Sequence, residues 1–324
     1  MGLGTSRTTA LVTGAAGFVG SHLVDRLLAE NFEVVGIDNL MTGDLGNLRD
    51  AGKSPHFHFQ LGDVREPMHT YAELIFNLAC PASPIHYQSD PHATTTSSVL
   101  GAIRLIELAR GRRCVIVHAS TSEVYGDPTV HPQTEAYWGN VNPVGERACY
   151  DEGKRCAETL LTDARRRWGL DARIVRIFNT YGPRMALDDG RVVSNFITQT
   201  LRGKPFTIFG DGRQTRSFCY VDDLVDGLIA MSRVRSVPGP VNLGNPREFA
   251  IADLAREVAA LLGATVTFVE APLPADDPRQ RRPDITLARE LLGFEPKVDL
   301  RAGLVPTIED FRGRVQSARP AQWP

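Results

Sequence analysis

Residues 9–22 read TALVTGAAGFVGSH, an apolar, β-branched run followed by glycines spaced three apart at Gly14, Gly17 and Gly20. Few folds accept that order. The run predicts a buried strand over Thr9–Thr13, and 17–30 predicts a helix with Phe18, Leu23, Leu27 and Leu28 facing inward. Glycines at such a junction permit a tight turn, let backbone approach a pyrophosphate and let the helix pack on the strand. The free N–H groups of the helix then face the phosphates. Asp38 stands eighteen residues beyond Gly20, at the end of a second apolar run. A carboxylate there bonds both hydroxyls of an adenosine ribose and repels a 2′-phosphate. No Arg follows at once; the next residues are Asn39-Leu40-Met41-Thr42-Gly43. The pattern points to NAD rather than NADP.

Further strands are predicted at 32–37, 56–60, 74–79, 114–119 and 172–178, with helical patterns near 92–111 and 145–168. Such alternation predicts a parallel sheet covered on both faces, an α/β chain with a Rossmann-type doubly wound sheet. After about residue 180 Pro and Gly rise and the strands shorten, as in Phe206–Phe209 and 265–269. This predicts a smaller α+β C-terminal substrate lobe. The expected division is 1–181 for the cofactor domain, with 222–245 returning to it, and 182–221 plus 246–324 for the lobe. Residues 271–283 (APLPADDPRQRRP) read as a loop.

A length of 324 residues allows a large core. Lys and Arg number 36 against 38 Asp and Glu, for a net charge of −2, so no basic excess favours nucleic acid or an anionic membrane. An anionic ligand must be held by local groups. The five cysteines form no CxxC, which argues against a disulfide framework or a zinc site and for a reducing compartment. No metal is expected. The N-terminal MGLGTSRTT lacks an apolar signal region, so the expected location is cytoplasmic.

Within RACYDEGKR, Tyr150 and Lys154 lie four apart, on one face of a helix. By itself that spacing is most often surface decoration. Together with the glycine triplet and a Ser/Thr after the fifth strand, it resembles the YxxxK of the extended short-chain dehydrogenase/reductases. The stretch HASTSEVYGDPTVHPQTEAYWGNVNPVGERACYDEGKR (118–155) is closer to one branch, the UDP-glucuronate decarboxylases, also called UDP-xylose synthases. FNTYGPRM, DGRVVSNFI, GDGRQTRSFCYVDDLVDGL, VNLGNP and DDPRQRRPDI resemble that branch too, so the likeness runs nearly the full length.

The resemblance implies a chemistry. Tyr150 takes the proton of a sugar 4-hydroxyl while hydride leaves C4 for NAD. The 4-ketone makes the C5 carboxylate a β-keto acid, CO₂ leaves, and return of the hydride gives UDP-xylose with NAD recycled. A cation ~4 Å from the phenol, at an effective dielectric of ~20, favours the phenolate by roughly 4 kcal/mol. That corresponds to about 3 pKa units, so Lys154 is expected to bring Tyr150 toward neutrality. Thr121 would hydrogen-bond the reacting oxygen. Ser122 and Glu123 stand where sugar-nucleotide 4,6-dehydratases tend to carry Asp-Glu, and Glu123 would shape the carboxylate for CO₂ loss.

Cofactor contacts are expected from Gly14, Gly17, Phe18, Val19, Asp38, Asn39, Thr42, Gly43, Asp63, Val64, Leu78, Ala79, Cys80, Ala119, Tyr150, Lys154, Thr180 and Arg191. Substrate contacts are expected from Pro81, Ser83, Glu123, Asn179, Arg184, Arg191, Asn195, Arg216 and Arg281. By resemblance Arg216 holds the diphosphate, and Arg281, which the string barely separates from Arg282, reaches the carboxylate or a phosphate and joins the catalytic set. Two departures stand out. The family's Lys-Thr-Asn is replaced by Thr96-Ser97-Ser98, and Cys80 stands where Ser is common.

The same residues also serve a 4-epimerase or a 4,6-dehydratase, and a non-catalytic NAD-binding sensor would share the cofactor loop. Family members commonly dimerise through the helices near 92–111 and 145–168. A homodimer is therefore expected, with Leu160 and Leu161 seeking a partner surface.

Overall fold

The computed structural model describes residues 7–271 and 280–317. Six strands, β1 (Thr9–Thr13), β2 (Glu33–Asp38), β3 (Phe57–Leu61), β4 (Leu74–Asn77), β5 (Val115–Thr121) and β6 (Asp171–Ile177), form one sheet with Val241–Leu243. The order across it is Val241–Leu243, β6, β5, β4, β1, β2, β3, with every pairing parallel. The chain winds one way from β1 to β3 and the other way from β4 to β6. This is the Rossmann-type sheet, and its switch point lies between β1 and β4, where ligands bind beyond the carboxyl ends of the strands.

Alternation along each strand explains why both faces are covered. Leu11, Ile75, Ile116 and Ile174 point to one face and pack with Leu105 and Leu161. Their neighbours Val12, Phe76, Val117 and Val175 point to the other and pack with Leu23, Leu224 and Leu228. Helices α3 (Pro91–Ala109) and α4 (Ala148–Trp168) cover the first face; α1 (Phe18–Ala29) and α6 (Val221–Arg233) cover the second. The short α2 (Pro84–Ser89) leads into α3, where the Asp90 carboxylate accepts from Ala93 N at 2.9 Å and Pro91 opens the first turn.

In α4 the buried residues Tyr150, Gly153, Lys154, Ala157, Leu161 and Ala164 recur at three and four, a stripe along one face. Gly169, in the left-handed conformation, ends the helix. Gly153 lets α3 come close, since a Cβ there would lie 3.3 Å from Ser98 Cβ. Leu161 is fully buried within its own chain, whereas the sequence suggested it sought a partner; only Leu160 keeps an open side.

The lobe contains α5 (Val192–Leu201) and two small strand pairs, and a third pair joins Thr180–Tyr181, just after β6, to Cys219–Tyr220. The boundaries of β1 to β6 fall within two residues of expectation, and the seventh strand, Val241–Leu243, was not among the expected ones. In the lobe the strand expected at 265–269 instead spans Phe268–Ala271, because its register follows a parallel partner that begins at Phe206. Of the loop expected at 271–283, residues 272–279 lie outside the described residues.

Candidate active site

A cleft of about 1240 Å³ lies over the carboxyl ends of β1, β4 and β5, with α5 and the lobe strands on its far side. All the expected site residues line it except Asp63. The Asp63 carboxylate is instead taken up by the Arg65 guanidinium, at 2.9 and 2.7 Å, and by Asn39 Nδ2 at 3.0 Å. Those bonds hold its pKa down at about 2. A side chain so occupied by its neighbours is what the sequence, which shows only a loop acid, could not reveal.

The turn between β1 and α1 is built for close approach. Gly14 has φ +72°, and a Cβ on Gly20 would fall 2.0 Å from the Gly14 carbonyl oxygen. The α1 N-terminus has no side-chain cap and no acid in its first turn, so its N–H groups stay available to an anion. At the end of β2 the Asp38 carboxylate accepts from Ala16 N at 2.9 Å and Leu40 N at 2.8 Å. Burial pushes its pKa up and those two bonds oppose the rise. A Cβ on Gly43 would lie 2.8 and 2.9 Å from the Asp38 oxygens, so glycine keeps that carboxylate uncovered. A bare helix end for a diphosphate and a fixed carboxylate for ribose hydroxyls fit a dinucleotide such as NAD.

Thr121, at the end of β5, hydrogen-bonds the Tyr150 phenol from across the cleft. Lys154 Nζ donates to the Ala119 carbonyl at 2.8 Å and stands 5.9 Å from the centre of the Tyr150 ring. The ammonium is thus engaged by a backbone carbonyl, which the sequence estimate did not include. Burial dominates instead: it pushes the Tyr150 phenol up and the Lys154 ammonium down, and the Thr121 bond only partly offsets it for Tyr150. The expected lowering of Tyr150 by Lys154 is therefore not realised in the protein alone. The four-residue spacing omitted desolvation, which depends on what the fold packs around the pair.

Glu123 is bonded by two arginines. Arg281 grips both its oxygens, at 2.5 and 2.7 Å, and Arg147 Nη2 donates to Oε2 at 2.6 Å. All three side chains are nearly buried. Burial alone would raise the Glu123 pKa, but Arg281 and Arg147 outweigh it and hold the carboxyl below its ordinary range. Arg282, the alternative to Arg281, turns away and pairs with Glu248 at 3.5 Å. Arg191 is held by Asp189 at 2.5 and 2.9 Å, and Arg184 by Asp25 at 2.7 Å. The Arg216 guanidinium donates to the Thr215 carbonyl at the lobe side. In the segment that departs from the family, Ser97 lines the cleft and Ser98 Oγ lies 3.3 Å from Cys80 Sγ.

Two neighbours of the site escaped the sequence reading. Arg147 stands three residues before Tyr150, and its only signal was a cation just ahead of the helix that carries the phenol. Tyr87, in α2, lies face to face with Tyr150, ring centres 5.0 Å apart and planes 4° apart. No spacing in the sequence announces that stack.

A model of the NAD dependent epimerase/dehydratase family matches residues 10–244. The chain is 52% identical to UDP-glucuronic acid decarboxylase 1 of Arabidopsis thaliana, over 97% of this chain and 72% of that protein. It is 53% identical to UDP-glucuronic acid decarboxylase 6 of the same plant, over 96% of this chain and 90% of that one. Among solved structures, UDP-glucuronic acid 4-epimerase from Bacillus cereus, in complex with UDP-glucuronic acid and NAD, superposes with a TM-score of 0.85 at 28% identity, covering 95% of this chain and all of the other.

Proposed function

The chain belongs to the NAD dependent epimerase/dehydratase family, and we propose that it acts there as a UDP-glucuronate decarboxylase, releasing CO₂ and UDP-xylose. The observation that carries this reading is Glu123 gripped by Arg281 and Arg147 in the same cleft as Thr121, Tyr150 and Lys154. That arrangement sets a charged, carboxylate-sized site beside a proton-transfer site.

The turn at Gly14–Gly20 and the Asp38 carboxylate would hold NAD, which would supply reversible hydride transfer when bound. Tyr150 takes the proton of the C4 hydroxyl as the hydride departs, and Thr121 orients that oxygen. The resulting ketone sits β to the carboxylate. The C5–C6 bond then breaks, CO₂ leaves, and the electron pair is delocalised into the enolate of the ketone. A proton from water is added at C5, and as C4 is reduced again Tyr150 gives its proton back to the oxygen. Arg281 receives the carboxylate. Asn179, Asn195 and Arg216, which line the lobe side of the cleft, hold the diphosphate and uridine end. Ser122 replaces the acid a dehydratase uses for water loss, and it is buried.

The chain works as a homodimer through α3 and α4, where Leu100 and Leu160 leave apolar surface uncovered. All five cysteines are free, which suits the cytoplasm, and among the described residues no helix is long and apolar enough to cross a membrane. The same reading assigns 1–181 with 222–245 to the cofactor, and 182–221 with 246–324 to the nucleotide sugar. Mass spectrometry of the purified protein with UDP-glucuronate tests the reaction. One CO₂ per UDP-xylose is expected, and UDP-galacturonate without CO₂ would overturn the reading in favour of 4-epimerisation.

A further inference from the structure

Arg281 reaches Glu123 from irregular backbone just ahead of the helix Thr286–Leu292. A long side chain keeps hold of both carboxylate oxygens only where its own backbone is fixed. Gln133 fixes it. Its Oε1 accepts from Arg282 N at 2.8 Å, its backbone N–H donates to the Arg282 carbonyl at 2.9 Å, and its own carbonyl accepts from Asp284 N at 2.9 Å. Its Nε2 donates to the Val130 carbonyl at 2.8 Å, which sets the direction in which the amide oxygen points. Asn242, in the main sheet, closes the clamp: its Nδ2 donates to the Gln133 carbonyl at 3.0 Å and to the Asp284 carbonyl at 3.1 Å. Gln133 and Asn242 are both wholly buried, so moving 281–284 away would leave several polar groups without partners, out of reach of water. Gln133 does not line the cleft, and the bonds it makes to this segment go to backbone. They set where the chain runs and leave the Arg281 side chain to the cleft.

We propose that Gln133 is a positioning residue for the acidic end of the substrate. It clamps the backbone of 281–284 so that the Arg281 guanidinium stands where a sugar carboxylate arrives. Gln133 touches neither substrate nor cofactor and acts through Arg281. The inference rests on the decarboxylase reading, in which Arg281 receives the carboxylate, and it concerns affinity for the acidic sugar rather than the hydride chemistry.

Calorimetric titration of the NAD-loaded enzyme tests it, with UDP-glucuronate as the acidic ligand and UDP-xylose as the neutral one. Every protein titrated also carries Tyr150→Phe, so that UDP-glucuronate is not consumed. Gln133→Leu, close in volume but without the amide, should weaken UDP-glucuronate binding by roughly tenfold and leave UDP-xylose within about twofold of the parent. The same change made on top of Arg281→Met should alter UDP-glucuronate binding by less than about twofold, because the side chain that Gln133 positions is gone. An equal loss for both ligands would mean a merely structural role. No loss for either, or the full loss repeated without Arg281, would also overturn the proposal. Should Q133L fail to fold, Gln133→Asn decides in its place: it keeps the amide but draws it back by one methylene, and its loss too must fall on UDP-glucuronate alone. Hydrogen exchange of the NAD-loaded wild type tests the clamp without any substitution. The Arg282 and Asp284 amides should exchange at least about a hundredfold more slowly than in an unstructured peptide, and exchange at the free rate would overturn the proposal. Wild-type turnover of UDP-glucuronate to CO₂ is measured in parallel. Its absence would sink the decarboxylase reading itself, whereas its presence with no selective loss in the variants would sink only the role of Gln133.

Discussion

Tyr150 sits in surroundings that oppose its own ionisation. It is buried, its face is covered by Tyr87, and the nearest ammonium is committed to a backbone carbonyl. A buried phenol favours its neutral form, so the proposed proton transfer through Tyr150 requires substrate and cofactor to complete the site. Tyr150→Phe removes the proton-carrying oxygen and little else. Turnover should fall by at least about a hundredfold, while NAD, released by denaturing the purified variant and quantified, should remain at the wild-type ratio. Activity near wild type would take Tyr150 out of its role. At this scale the sequence was informative about identity and poor about environment. The glycine triplet with Asp38 singled out the cofactor turn, and only beside it did the four-residue spacing single out the Tyr–Lys pair. Nothing in the string placed Tyr87 on Tyr150 or Arg147 on Glu123, because both contacts join segments that meet only after folding.

Helix α4 buries both apolar and charged residues, and that explains why it was only partly readable. Its span was legible near 145–168, but the facing of its apolar residues was not, since Leu161 packs into its own chain. Asp151 was not legible either, since a charged residue beside Glu152 reads as solvent-facing, yet it is buried and its Oδ1 has no hydrogen-bond partner among the described residues. Burial, with the nearby charge of Glu123, pushes its pKa up to about 7. The sign follows from linkage. A carboxyl whose folded pKa exceeds its unfolded value near 3.8 binds its proton more tightly in the folded state. Its cost to stability is absent below pH ~4, grows as pH rises and is complete above about 7. Asp151→Asn should therefore raise the melting temperature above wild type at pH 8, with the gap narrowing steadily toward pH 4 in scanning calorimetry. A gap independent of pH would mean that Asp151 does not titrate in this window.

Over the whole molecule, the strand order places the ligand cleft before any side chain is considered. Winding in opposite directions from β1 and β4 opens the crevice, and the carboxyl ends of β1, β4 and β5 deliver Gly14, Cys80 and Thr121 to it. That much of the fold was legible, because parallel strand–helix alternation leaves few topologies. The lobe was less so. Its strands are two to four residues long, and their registers depend on partners distant in sequence, as the shift to Phe268–Ala271 illustrates. The uncovered side of α3 and α4 leads to an expectation for assembly: sedimentation equilibrium should give twice the chain mass of 35.5 kDa. A monomer at micromolar concentration would contradict the pairing. The central claim is that electrons are withdrawn from C4 and returned to the same carbon, with loss of CO₂ between. UDP-glucuronate carrying deuterium at C4 tests it in one single-turnover reaction followed by mass spectrometry and NMR. The account predicts a slowed turnover and UDP-xylose that retains the deuterium at C4; UDP-xylose formed at the unlabelled rate, or with hydrogen from water at C4, would contradict it.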